Sequence, residues 1–281
     1  MSAGYRINRA SFGAGLGWLP ASAEWMRRGF RPIFGVAVLW LAVSLIAVIP
    51  LIGQAVLAVI TPLLTAGVMV AFDRIGEGKA PPAATLFASW HDPLRRGRLL
   101  MLGAFGMAGG LTAALVLVSW LSSQIGADQL EAAVRSPEAM AEALAGASLG
   151  MGLVLSASVM GLVLAALYFA IPLVMFGRAP VGAALVTSLR AVFANWLAFI
   201  GFLLATVAVV FGLMVMLLLI TSVLNVALGA VGGWISQVLL LIGVMLFQVL
   251  MTGAQYLAFS QIFGWSPGLE DESSEPTDLT P

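Results

Sequence analysis

The sequence predicts an all-α membrane protein with six transmembrane helices. Three observations carry this. The 281 residues are 61% hydrophobic and only 9% charged, far from the roughly one-quarter charged residues of soluble domains. Ala191 to Leu269 form 79 consecutive residues without Asp, Glu, Lys, Arg or His. Elsewhere the charges fall between apolar runs long enough to cross a bilayer.

A helix of about 20 apolar residues crosses a hydrocarbon core of roughly 30 Å. By that measure the spans are 33–49, 54–72, 99–121, 149–176, 196–223 and 234–263, within one polytopic domain over residues 1–265. The first two form a hairpin across Ile49-Pro50-Leu51-Ile52-Gly53, where Pro ends one helix and Gly is expected to permit the turn. Pro62 and Pro172 fall inside spans and are expected to face protein, because a neighbour must satisfy the carbonyl that each proline frees.

Basic residues orient the spans. Arg6, Arg9, Arg27, Arg28 and Arg31 precede the first; Arg74, Lys79, Arg95, Arg96 and Arg98 lie between the second and third; Arg178 and Arg190 lie between the fourth and fifth. Only Arg135 falls on the opposite side. The positive-inside rule then places both termini in the cytoplasm of a multi-pass inner-membrane protein. Met1 to Arg31 lacks the continuous apolar core of a cleavable signal, so the amino terminus is expected to stay. The segment from Ser122 to Ser148 is expected outside, with two short helices begun by the Asp128/Glu131 capping-box spacing and by Ser136-Pro137-Glu138. It reads as a solvated connector or a partner-docking element. The acidic tail, 266–281, reads as disordered.

The chain also repeats itself. A shift of 99 positions aligns Gly78-Lys79-Ala80-Pro81 with Gly177-Arg178-Ala179-Pro180, and Phe263-Gly264-Trp265-Ser266-Pro267 echoes them after the last span. Arg27-Arg28-Gly29 likewise echoes Arg95-Arg96-Gly97. These echoes predict three units, each an amphipathic helix, an outgoing span, an incoming span and a Gly-x-small-Pro stop. Gly would end each incoming helix and Pro would start the next at its first turn. In the amphipathic segments, Leu86, Phe87, Trp90 and Leu94 share a stripe opposite Asp92, Arg95 and Arg96, and Val181, Leu185, Leu189 and Val192 lie opposite Arg190. Such helices are expected in the inner interface, apolar face down. Arg27, Arg28, Arg95, Arg96, Arg178 and Arg190 are then candidate inner-surface lipid contacts, as anchors or as a headgroup site.

No span contains an Asp, Glu, Lys, Arg or His, which disfavours proton-coupled or voltage-driven transport. Gln237, Gln248 and Gln255 repeat at 11 and 7 residues on one helical face, and Gln54, Thr61 and Thr65 at 7 and 4. Such stripes bond between helices or line a polar groove. Small pairs at four-residue spacing, such as Gly106 and Gly110 or Gly201 and Ala205, predict close internal packing. His91, the lone histidine, precedes Asp92 in an inner loop and is expected to be solvated or near headgroups. Absence of cysteine excludes disulfides and thiolate chemistry. Catalysis requires a base and a second positioned group, which the spans lack, so the expectation is a protein without enzymatic activity, cofactor, metal or nucleic-acid partner.

Further pieces are Trp25-Met26-Arg27-Arg28-Gly29-Phe30-Arg31-Pro32, the Ile49 to Gly53 turn, Leu185-Val186-Thr187-Ser188-Leu189 with Asn195-Trp196, and Tyr256-Leu257-Ala258-Phe259-Ser260-Gln261-Ile262-Phe263. Together these resemble a family of bacterial six-helix inner-membrane proteins with a domain of unknown function. The resemblance implies a six-helix fold in a Gram-negative inner membrane and brings no assigned activity.

The functional expectation is a non-enzymatic protein that binds or organises membrane lipids or an envelope protein complex, including self-association. The alternative is an uncoupled channel or small-molecule facilitator using the glutamine face.

Overall fold

The computed structural model describes residues 6–125, 131–132, 135–136, 138 and 149–267. Every regular element among them is helical: α1 (Phe12–Arg28), α2 (Phe30–Ser44), α3 (Ile52–Gly76), α4 (Pro93–Ile125), α5 (Leu149–Met175), α6 (Val181–Ala194), α7 (Trp196–Leu228) and α8 (Ala230–Phe263). Two 3-10 segments, Leu45–Val48 and Ala83–Trp90, complete them. Six helices are long and apolar enough to cross a membrane: Phe30–Val48, Ile52–Gly76, Pro93–Gln124, Gly150–Met175, Trp196–Leu228 and Ala230–Phe263. The chain is a multi-pass integral membrane protein. The expected outer helices near Asp128 and Pro137, and nearly all of the acidic tail, lie outside the described residues.

The helices outrun the apolar windows read from sequence. Polar ends continue the backbone ladder where water can receive the last carbonyls, so α4 begins at Pro93 rather than Leu99 and α7 runs on to Leu228. The α2–α3 turn is built differently from expectation. The left-handed residue is Leu51, φ 61°, and Gly53 already lies within α3. Gly53 is needed for proximity instead, since a Cβ there would stand 1.8 Å from the Ile46 carbonyl oxygen.

The three stops also vary. Gly78 and Gly264 take positive φ, 76° and 68°, whereas at the middle stop Arg178 does so at 50°. Pro180 sits one residue outside its helix, as the N-cap rather than in the first turn, and Pro81 stands two residues before the 3-10 helix, whose N-cap is Pro82.

The amphipathic segments pack against the bundle. Each wedges against it through a narrow face: Gly15, Trp18, Leu19 and Ser22 on α1, Thr85, Leu86 and Ser89 on the 3-10 helix, and Ala184, Ser188 and Ala191 on α6. Their larger apolar side chains, Phe12, Leu16, Trp90, Val186 and Phe193, face outward and are exposed. Leu94, Arg95 and Arg96 belong to the first turn of α4, because Asp92 caps that helix by accepting from the Leu94 and Arg95 N–H groups at 2.9 and 3.3 Å. Their expected stripe with Leu86 and Phe87 is therefore broken.

One serine in each wedge bonds an incoming helix. Ser22 Oγ donates to the Leu250 carbonyl at 2.8 Å, Ser89 Oγ to that of Leu63 at 3.3 Å, and Ser188 Oγ to that of Ala165 at 2.7 Å. Ser188 Oγ also accepts from the Phe169 N–H at 2.9 Å, so it is inserted between the two ends of one helical hydrogen bond. Backbones approach closely at these seams. A Cβ on Gly67 would stand 2.0 Å from the Leu86 carbonyl oxygen, and one on Gly15 1.8 Å from that of Ala198. The N-terminal helix thus packs on α7 and α8, the last two spans. Ala10 N–H adds a 2.6 Å bond to Asn195 Oδ1, and Trp18 Nε1 a 2.7 Å bond to Gln261 Oε1.

Candidate functional site

Five helices enclose a cavity of about 370 Å³ in the middle of the bundle. Its polar lining comes from Thr61 and Thr65 on α3, Tyr168 on α5, and Gln248, Thr252 and Gln255 on α8. Trp40 of α2 and Leu102, Gly103 and Gly106 of α4 close its walls. Gln248 lies near the midpoint of α8, so the cavity is at membrane depth.

Local sequence accounts for this opening. Glycine permits α4 to approach both neighbours: a Cβ on Gly103 would stand 2.0 Å from the Val59 carbonyl oxygen, and one on Gly106 3.0 Å from a Leu167 methyl. Prolines supply polar groups. Pro172 has no N–H for the Tyr168 carbonyl four residues earlier, and the Gln255 side-chain amide donates to that carbonyl instead. Pro62 similarly deprives Ala58, which lines the cavity. Thr61 and Thr252 turn their hydroxyls back to the carbonyls of Leu57 and Gln248, at 2.6 and 2.9 Å.

Thr65 is only 7% exposed, and its hydroxyl has no partner among the described residues. The buried Tyr168 hydroxyl also lacks one. Gln248 makes no side-chain hydrogen bond within the described chain. No lining residue is an Asp, Glu, Lys, Arg or His. Of the six residues read from sequence as a polar groove, Thr61, Thr65, Gln248 and Gln255 come together. Gln54 and Gln237 do not: both are exposed near the N-terminal ends of α3 and α8. Tyr168 escaped the sequence reading because it is set among apolar neighbours, whereas Thr252, four residues after Gln248 and three before Gln255, shares their helical face and was legible from spacing but passed over.

A second opening, about 800 Å³, lies where the α1–α2 junction meets the end of α3. Arg27, Arg28, Arg31 and Lys79 line it with Phe30, Ile75 and Pro81. Glu24 pairs with both Arg27 and Arg28, at 2.9 and 3.0 Å. Their hydrogen bonds hold the Glu24 carboxyl down to about 2, and the same bond raises Arg27. Lys79 pairs with Glu77 at 2.8 Å. Arg31 has no ion-pair partner among the described residues.

The other candidate lipid contacts lie apart from this cleft. Arg95 stands 3.4 Å from Asp92. Hydrogen bonding from the Arg95 N–H, then from that of Leu94, and the charges of Arg95 and Arg178 keep the Asp92 carboxyl below its usual range. Arg98 donates to the Arg178 and Ala179 carbonyls and ties α4 to the stop after α5. Arg96 and Arg190 are exposed.

Sequence reasoning missed Asp73. It stands one residue beyond the apolar run and read only as the boundary of a span. In the structure its Oδ1 accepts from Tyr256 Oη at 2.5 Å and from Trp265 Nε1 at 3.1 Å. Around it Phe176, Tyr256, Phe259 and Trp265 pack with centroids 5.2 to 6.1 Å apart. Phe72, Tyr256 and Phe259 are buried and lie beyond Thr65 and Gln255 along α3 and α8, so a packed aromatic layer stands between the cavity and the Gly76 and Phe263 ends of those helices. Among the described residues no three His, Asp or Glu side chains gather as a metal site. No protein-family model, curated protein or solved structure matches the chain.

Proposed function

We propose that this protein is a non-enzymatic component of a bacterial inner membrane that binds anionic lipids at its cytoplasmic face. The observation that carries the reading is the 800 Å³ cleft, where Arg27, Arg28, Arg31 and Lys79 converge beside the exposed Phe30. Cations supply attraction to a phosphate, each worth about 1 kcal/mol near an anionic surface. Arginine adds planar paired donors that match phosphate oxygens. Exposed Phe30 and Phe34 on α2, stacked with centroids 5.8 Å apart, offer apolar surface for the acyl chains. Both termini are cytoplasmic in this reading, and the wedges α1, Ala83–Trp90 and α6 stand on the inner side.

Native mass spectrometry of the full chain tests it, comparing retained phosphatidylglycerol with phosphatidylcholine. The triple variant Arg28→Ala, Arg31→Ala, Lys79→Ala is expected to lose roughly a hundredfold in phosphatidylglycerol affinity, at about 1 kcal/mol per cation. Equal retention by the variant and the natural chain would overturn the proposal.

A second reading, an uncoupled channel or facilitator, draws on the cavity that touches Gln248 and Gln255. The aromatic layer on its inner side weighs against a continuous path and favours a closed-ended binding site. The idea fails if proteoliposomes show no flux of small neutral solutes above empty vesicles.

A further inference from the structure

We propose that the mid-membrane cavity holds the small uncharged head of a neutral glycerolipid of the diacylglycerol type. This is a site separate from the basic cleft, and it stands on its own observations.

Charge chooses the ligand class first. None of the lining residues is an Asp, Glu, Lys, Arg or His, so an anionic or cationic group would enter without a counter-charge and its desolvation would go uncompensated. Polarity narrows it further. The Thr65 hydroxyl, in a residue 7% exposed, is without a partner, and the Gln248 amide is equally unengaged within the described chain. Pro62 leaves the Ala58 carbonyl without its usual helical donor. A hydroxyl that both donates and accepts, beside ester oxygens that accept, answers this mixture. A purely apolar chain would leave every one of these groups unsatisfied.

Geometry indicates the direction of entry. Ala58 and Leu164 line the cavity and are also exposed, Leu164 at 57%, so the mouth opens at membrane depth between apolar rims. Beyond Thr65 and Gln255, farther along α3 and α8, Phe72, Tyr256 and Phe259 are buried and lie outside the cavity lining. A ligand with a polar head inside and hydrocarbon passing the rim fits both ends. A volume of about 370 Å³ is at the small end of ligand sites, suited to a compact head and not to a whole lipid.

The test uses the purified full chain in lipid nanodiscs and a diazirine-bearing dioctanoylglycerol as the photoactivatable probe. Saturable labelling is expected on the cavity segments 58–65, 164–171 and 248–255. Excess dioctanoylglycerol should compete it away, whereas glycerol at the same concentration should not. Gly106→Leu, which fills the cavity, and Thr65→Val, which keeps the shape and removes the hydroxyl, are each expected to lower saturable labelling at least tenfold. Gln237→Leu, on the same helix but outside the cavity, is expected to leave it unchanged. Competition by glycerol alone would overturn the lipid assignment in favour of a free polyol. Unchanged labelling in Thr65→Val, or labelling confined to the exposed surface of α7, would overturn the site. The triple variant of the basic cleft should label normally, so loss of the anionic-lipid reading and loss of this one are separable.

Discussion

Gln255 and Tyr168 are joined by a hydrogen bond that stands in for one Pro172 cannot make. The Gln255 amide donates across the helix interface to the Tyr168 carbonyl, the group that would otherwise receive the missing N–H. Gln255→Leu should therefore leave a buried carbonyl unsatisfied and cost about 1–3 kcal/mol. Pro172→Ala restores a local donor, so the same leucine substitution made in that background should cost less. Thermal unfolding in detergent, run as a double-mutant cycle, measures the coupling; additive losses would show that the two positions act independently.

Asp73 holds Tyr256, about two turns before the end of α8, and Trp265, two residues beyond that end. Asp73→Ala removes the acceptor for both donors, at a cost of about 1–3 kcal/mol for each buried donor left unsatisfied. Trp265 should become more solvent-exposed, which is read as a red shift in the emission difference between the Asp73→Ala chain and its Trp265→Phe derivative. An unshifted difference spectrum would mean that the aromatic packing alone fixes Trp265.

These two contacts show where the sequence was legible and where it was not. Span number follows from hydropathy, because a transmembrane helix satisfies its own backbone and needs only an apolar exterior. Four of six predicted groove residues meet for a similar reason: helical periodicity places Gln248 with Gln255, and Thr61 with Thr65, on common faces. Periodicity has no knowledge of depth, so Gln54 and Gln237 satisfied the same pattern while lying exposed near the N-terminal ends of α3 and α8. Asp73 was illegible because its meaning depends on Tyr256, more than 180 residues away. The wedges were legible in part: their inward faces include apolar residues such as Trp18, Leu19 and Leu86, but also small and polar ones such as Gly15, Ser22 and Ser188, which a hydrophobic stripe search assigns to the outside.

Gly15 and Gly67 are the tightest seams between wedge and bundle. Gly67→Val would drive a side chain into the Leu86 carbonyl and should undock the 3-10 helix, with a loss of about 3 kcal/mol or more. Limited proteolysis near Pro81 should accelerate accordingly. Gly17→Val, where a Cβ would meet nothing within 4 Å, is the matched control and should be near neutral.

Glu24 competes with any phosphate for Arg27 and Arg28. Its folded pKa of about 2 lies below the ordinary 4.5, so its contribution to stability is present in full above pH 4.5 and is lost as pH falls toward 2. The melting temperature should therefore fall across that window more in the natural chain than in Glu24→Gln. At neutral pH the same variant should bind phosphatidylglycerol more tightly, by a few-fold in native mass spectrometry. Weaker binding would place Glu24 in support of the headgroup and not against it.

Orientation can be read directly because the chain has no cysteine of its own. Single cysteines at Ser2 and Ser274 should resist a membrane-impermeant maleimide added to intact spheroplasts, and one at Ser136 should react. Reversed labelling would invert the topology.

α1 is made first but rests on α7 and α8, which are made last. Its Ser22 bond to Leu250 spans 228 residues of sequence. At synthesis rates of roughly 5–20 residues per second, α1 waits on the order of 10–45 seconds for its binding surface to exist. α1 is consequently seated in full only after α8 is made, and a chain halted between α7 and α8 has five spans made and its α1 still lacking the α8 half of its dock. A seated α1 thus reports that α8 has been synthesised.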